Sequence, residues 1–199
     1  MTASASPQIC KAQLLQGKTL FFRDAHENDA ELILTLRTDE CKGKHLSSTS
    51  LDVESQRKWL RHYAASTDQA YFIIEHKKQP VGTVRLYDAR GNSFCWGSWI
   101  IADGQPAHVA IESALMVYAY ALDHLGFEQA HFDVRVGNEK VWKFHERFGA
   151  KRVRESDIDF FYELSFDSIK GSIERYKRFL PEGLTPTKST RCNAPSDTD

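Results

Sequence analysis

A chain of 199 residues, 41% apolar and with a formal net charge of −1, is long enough for one substantial domain with its own core. The near-neutral balance excludes the strongly basic footprint of a nucleic-acid binder, and 27% charged residues without an acidic excess exclude a charge-extended disordered chain. Cys10, Cys41, Cys95 and Cys192 form no CxxC pair, and the cysteines and histidines lack zinc-ligand spacing. Free thiols in a reducing cytoplasm are the simple reading, with no metal site. The start of the chain has no signal-like apolar stretch, and no apolar run reaches the length of a membrane span.

Residues 1–18 read as a polar tail. Thr19 to Arg23 is a first strand. Asn28-Asp29 caps a helix carrying Ala30, Ile33, Leu34 and Leu36, and Leu51-Asp52 opens a second with Val53, Trp59, Leu60 and Tyr63. Between them lies a polar stretch with Lys42, Lys44 and His45. Three strands follow, Ala70 to Glu75, Val81 to Tyr87 and Phe94 to Ile101, joined by turn signals at Lys77 to Pro80 and at Arg90-Gly91-Asn92. After the loop Ala102 to Ala107, the spacing of Ile111, Ala114, Leu115, Tyr118, Ala121, Leu122 and Leu125 predicts a helix that ends at Gly126. Ala130 to Val136 is a strand, and Asn138 caps a helix closed by Gly149. Asp159 to Phe166 is the last strand, residues 167–183 a helical extension, and 184–199 a disordered tail. The extension either covers the domain or pairs with a second copy, which leaves a homodimer open.

Three stretches carry chemistry. The strand Gly97-Ser98-Trp99-Ile100-Ile101 runs through a loop with Gln105, Pro106 and His108 into the helix beginning near Val109-Ala110. Asn138-Glu139-Lys140-Val141-Trp142-Lys143-Phe144-His145 leads on to Phe148-Gly149. The front half contains Arg23-Asp24, Leu36-Arg37 and Trp59-Leu60. With the order β-α-α-β-β-β-loop-α-β-α-β, these resemble the GNAT acetyltransferase superfamily over residues 19–166, and most of all its Rim-type branch of ribosomal-protein and amino-sugar acetyltransferases. The resemblance implies an α+β fold, with a mixed central sheet of about six or seven strands flanked by helices.

It also implies roles. Acetyl-coenzyme A is the acyl donor, and Ile100, Ile101, Gln105, His108, Val109, Ala110, Asn138 and Trp142 are its binding residues. Loop N–H groups and the following helix N-terminus suit its pyrophosphate. His108 stands where the family has a central glycine, and Pro106 has no N–H to give, which leaves the His108 ring to face the phosphates. A backbone N–H near Trp99 polarises the thioester. His145 stands where a tyrosine often protonates the leaving sulfur, with a buried core histidine as the alternative. Cys95 occupies the position of a common glutamate base, so the base falls to His145, His45 or Asp133; Cys95 itself reads as a buried small hydrophobe rather than a nucleophile. The acceptor is a primary amine on a small molecule such as a nucleotide-linked amino sugar, with a protein N-terminus as the rival. A GNAT-shaped module that senses coenzyme A without catalysis is the reading from another class.

Overall fold

The computed structural model describes residues 6–38 and 52–186. His45, Lys42 and Lys44 lie outside them. Nine strands form one sheet: β1 (Leu14–Gln16), β2 (Leu20–Asp24), β3 (Ala70–His76), β4 (Gln79–Arg90), β5 (Ser93–Ile101), β6 (Gln129–Arg135), β7 (Lys151–Glu155), β8 (Asp159–Ser165) and β9 (Thr185–Pro186). Their order across the sheet is β7-β8-β6-β5-β4-β3-β2-β1-β9. All neighbours are antiparallel except β5 and β6. The helices are α1 (Ala30–Arg37), α2 (Val53–Ala65), α3 (Ala107–Ala119), α4 (Glu139–Arg147) and α5 (Phe166–Tyr176).

The α+β architecture is the expected one, with more strands. The three additional strands each lack the alternating apolar pattern that marks a strand in sequence. β1 and β9 are two or three residues long, and every residue of β7 is exposed. The segment read as an N-terminal tail is built into the protein. Ile9, Cys10, Ala12 and Leu15 are buried, and β1 pairs with β2 on one side and with β9, from the segment read as a disordered tail, on the other. Cys10 is disulfide-bonded rather than a free thiol.

Local chemistry fixes the element ends. The Asp52 carboxylate accepts from the N–H groups of Glu54 and Ser55 at 3.2 and 2.9 Å and starts α2. The β3–β4 hairpin turns through Lys77 and Lys78, both at positive φ, the geometry whose twist matches that of the strands. α3 runs into a π turn, closed by Leu125 N–H donating to the Tyr120 carbonyl, and Gly126 at φ 81° ends it.

The helices cover both faces of the sheet. One core joins α3 and α5 to the sheet around Phe22, Phe72, Phe94, Leu115 and Leu164; a smaller one joins α1 and α2 to Tyr71 and Ile73. α3 is buried all round from Glu112 to Ala119. The Glu112 carboxylate accepts from the Thr19 N–H and hydroxyl, both at 2.6 Å, and from the Leu20 N–H at 3.0 Å, which pins the β1–β2 turn onto the helix. Among the described residues no helix is long and apolar enough to cross a membrane, and no group of three His, Cys, Asp or Glu could hold a metal ion.

Candidate active site

The parallel register between β5 and β6 runs Ser93↔Gln129, Phe94↔Ala130, Cys95↔His131 and stops there. Beyond Cys95 the two strands part, and the opening between them is a cleft of about 220 Å³. Its walls include Trp96, Gly97, Ser98 and Trp99 from β5, Phe132 to Arg135 from β6, Asn138, Val141 and His145 around α4, and Arg37 and Tyr87 from the opposite face of the sheet.

A β-bulge shapes the β5 wall. Thr83 pairs with Ile100 and Arg85 with Gly97, so a two-residue step on β4 faces a three-residue step on β5. Ser98 takes the extra place at φ 46°, and its carbonyl accepts from the Thr83 hydroxyl at 2.7 Å. Gly82 serves the same junction: a Cβ there would stand 2.2 Å from the Ile100 carbonyl oxygen. Ser98 and Trp99 consequently have no register partner on β4, and backbone N–H groups at a bulge beside the cleft are suited to polarising a carbonyl.

The bulge also places Trp96 and Trp99 on one side, although their spacing does not suit one face of a regular strand. The two rings are 5.4 Å apart, and both meet His145, at 5.1 and 5.9 Å. Trp99 Nε1 donates to the Ser113 hydroxyl at 3.1 Å and so ties the cleft wall to α3. His145 is buried among Trp96, Trp99, Phe132 and Phe144, and its Nδ1 has no hydrogen-bond partner. Burial pushes its pKa down to about 3, so the ring is uncharged at neutral pH and holds no imidazolium proton to give.

At the far end of β5, Ile101 leads through the loop into α3, whose first turn has no side-chain cap. Its end N–H groups are available to an anion. Val109 and Ala110 belong to that turn, with Val109 N–H donating to the Pro106 carbonyl at 3.0 Å. Gln105 meets His76 Nδ1 at 3.3 Å. His108 is helical, without the positive φ of a loop glycine, and its ring packs edge-on against His76 at 5.4 Å. Asn138 is the N-cap residue of α4 and lines the cleft. Trp142 lies on another side of α4, against Phe160, its Nε1 donating to the Val136 carbonyl, and does not line the cleft.

The opposite face of the cleft holds Tyr87, which sequence reasoning passed over, beside Arg37, Cys95 and Asp133, which it had named. Arg37, at the end of α1, reaches Ser98 Oγ at 3.4 Å. Tyr87 and Cys95 face one another across β4 and β5; burial raises both pKa values, Cys95 to about 11, which keeps its thiol protonated and inert at neutral pH. Asp133 faces solvent in the cleft, its carboxyl shifted upward by desolvation and by the Asp159 charge. Arg135 is paired with Asp159 at 3.0 Å. Behind this face a Ser93–His131–Asp88 chain, with contacts of 2.8 and 3.4 Å, braces β4, β5 and β6. None of the three lines the cleft, so the grouping is not a nucleophilic triad for a substrate held there. Tyr87 carries no motif of its own; only the fold makes it a neighbour of Asp133 in the cleft.

This geometry agrees with what the chain is similar to. The family model described as "Acetyltransferase (GNAT) domain" matches residues 19–151. A solved structure described as apo FdhC, a nucleotide-linked sugar GNAT, is 40% identical over 87% of this chain and 99% of its own, with a TM-score of 0.74. A GCN5-related N-acetyltransferase from Brucella melitensis (14% identity, 90% of this chain and 91% of that one, TM-score 0.72) shares the fold. So does spermidine N-acetyltransferase from Vibrio cholerae, solved with CoA and spermine (16% identity, 76% and 98% covered, TM-score 0.69). No curated protein sequence matches the chain.

Proposed function

The chain belongs to the GNAT acetyltransferase family, and from that premise we propose that it moves an acetyl group from acetyl-coenzyme A to the primary amine of a nucleotide-linked amino sugar. The observation that carries this reading is the cleft between β5 and β6, with a carboxylate inside it and with β5 running on into an uncapped helix. The 40% identity to a nucleotide-linked sugar GNAT supports the acceptor class.

In this reading the pantetheine arm lies along the β5 wall formed by Trp99, Ile100 and Ile101. The diphosphate rests on the first turn of α3 near Gln105, Val109 and Ala110, where N–H groups and the helix dipole favour an anion. The thioester carbonyl accepts from a backbone N–H at the Ser98–Trp99 bulge. Asp133 is the general base, and its raised pKa brings it closer to that of the amine it serves. The amine nitrogen attacks, the N–C bond forms and the C–S bond breaks. The proton leaving nitrogen goes to the Asp133 carboxylate, and the same carboxyl returns a proton to the departing sulfur, so the exchange balances within the cleft. His145 acts as a neutral aromatic wall behind the cleft, its Nδ1 buried without a partner.

Release of free coenzyme A thiol, followed with a panel of amines, tests the reading. Rapid thiol release with nucleotide-linked amino sugars, and little with polyamines or peptide N-termini, is expected. Binding of acetyl-coenzyme A without thiol release for any acceptor would leave a sensor in place of an enzyme.

A further inference from the structure

On the α1–α2 face of the sheet, directly across β4 and β5 from the cleft residue Gly97, stands Arg85. Its guanidinium lies over the ring of Trp59 at 5.2 Å and over that of Tyr87, itself a cleft residue, at 4.7 Å. Nε donates to Gln69 Oε1 at 2.7 Å. The two terminal nitrogens make no hydrogen bond within the protein, and neither is sealed from solvent. Among the described residues no carboxylate forms an ion pair with it, whereas Arg23, Arg57, Arg61, Arg135 and Arg152 all have one.

Burial works against this cation and lowers its pKa, with the Arg37 charge adding to it; the Tyr87 and Tyr71 hydroxyls and the Asp68 carboxylate pull the other way without pairing with it. Stacking on two rings recovers part of that cost, but a stack alone does not need the planar fork or its outer donors. A fork held rigid by two aromatic rings and one amide is preorganised for a bidentate anion. Phosphoryl oxygens match that fork.

We propose that Arg85, clamped between Trp59 and Tyr87, is the specificity residue that binds a phosphoryl group of the acceptor and so separates phosphorylated amino sugars from free ones. This rests on the acetyltransferase reading given above. The amine lies toward Asp133 and the phosphoryl group toward Arg85, so the two ends of one acceptor meet opposite charges. The phosphoryl group belongs either to the diphosphate of a nucleotide-linked sugar or to a sugar 1-phosphate.

Initial rates of thiol release would be measured for wild type, Arg85→Met and Arg85→Lys with three acceptors carrying the same amino sugar: nucleotide-linked, 1-phosphate and free. The wild type should prefer phosphorylated acceptors. Arg85→Met should raise their KM about tenfold or more, consistent with loss of a charge-assisted pair, with the KM for free amino sugar and for acetyl-coenzyme A within about twofold of wild type. Arg85→Lys should fall between. Whichever phosphorylated acceptor has the lower wild-type KM identifies the source of the phosphoryl group. Should Arg85→Met unfold, Arg85→Lys still decides: the amine-free analogue of the preferred acceptor, a nucleoside diphosphate or a sugar 1-phosphate, must inhibit wild type competitively against the acceptor and Arg85→Lys more weakly. Equal KM changes for all three acceptors, unchanged KM values throughout, or absence of that inhibition would each overturn the role of Arg85 while the acetyltransferase reading stands. Thiol release with no amino sugar at all would instead remove the reading beneath it.

Discussion

The indole rings of Trp96 and Trp99 stand 5.4 Å apart on one wall of the cleft because β5 holds one residue more than β4 between them. That residue, Ser98, lies at φ 46°. The bulge therefore sets the shape of the wall and frees its backbone from the ladder at one stroke.

A β-branched residue at Ser98 should damage both. Ser98→Val brings branching to a positive φ, which costs about 1–2 kcal/mol. Urea denaturation should show a loss of that size. The KM for acetyl-coenzyme A should rise together with the fall in kcat, since the donor wall and the bulge N–H groups move together. A variant with wild-type stability and kinetics would show that the strand reaches the same shape without the strain.

Asp133→Asn tests the base. A general base typically contributes a factor of about 10²–10⁴, and kcat/KM should fall by an amount in that range. In wild type the acid limb of the kcat/KM profile should lie above the ordinary carboxylate range, since the pKa is raised, and the limb should vanish in the variant. Stability should move the other way. A carboxyl whose folded pKa exceeds its unfolded one is ionised at neutral pH at a cost to the native state. Replacing it with a neutral amide should therefore raise the denaturation midpoint at pH 7. Reduced activity with an acid limb still present would assign the titration to another group.

His145→Phe separates wall from acid. With its pKa near 3 in the folded state and near 6.5 unfolded, wild-type His145 takes up its proton only on unfolding across that interval. Stability is thus lost as pH falls from about 6.5 toward 3, since the unfolded state binds the extra proton. The variant should lose this dependence, its melting curve flattening between pH 4 and 6.5, and should keep its fold. If the ring shapes the wall against which the bound arm is positioned, kcat should drop roughly tenfold. Unchanged turnover per folded molecule would leave His145 a packing residue only.

Glu112→Ala probes a structural role well away from catalysis. It removes the acceptor for three donors at the Thr19–Leu20 turn, and unsatisfied buried donors with a cavity beside them cost about 2–4 kcal/mol. Urea denaturation should report that loss, with kcat per folded enzyme near wild type.

Much of this was written in the residues. The helix spacing of Ile111, Leu115, Tyr118 and Leu122, the cap at Asp52 and the turn at Lys77 to Pro80 are local features, and each element formed where its own pattern placed it, whereas Asn138 begins its helix without a side-chain cap bond. The stretch from Asn138 to Gly149 put His145 on the buried side of a helix. Contacts distant in sequence were hidden. β9 exists because it pairs with Leu15 and Gln16, far away in the chain, whereas β1 and β7 are short or exposed strands that take their hydrogen bonds from β2 and β8 without an apolar pattern of their own. His108 and Trp142 sit in the expected elements, and only the fold sets their rings against His76 and Phe160.

The chain's own periodicity and motifs determined its family and its order of elements. Only the folded molecule decided that β5 parts from β6 after Cys95, that one extra residue brings two tryptophans to one wall, and that Arg37, Tyr87 and Asp133 line one cleft. Periodicity reports which side of an element is apolar, whereas charge and register across strands depend on neighbours that no local pattern records.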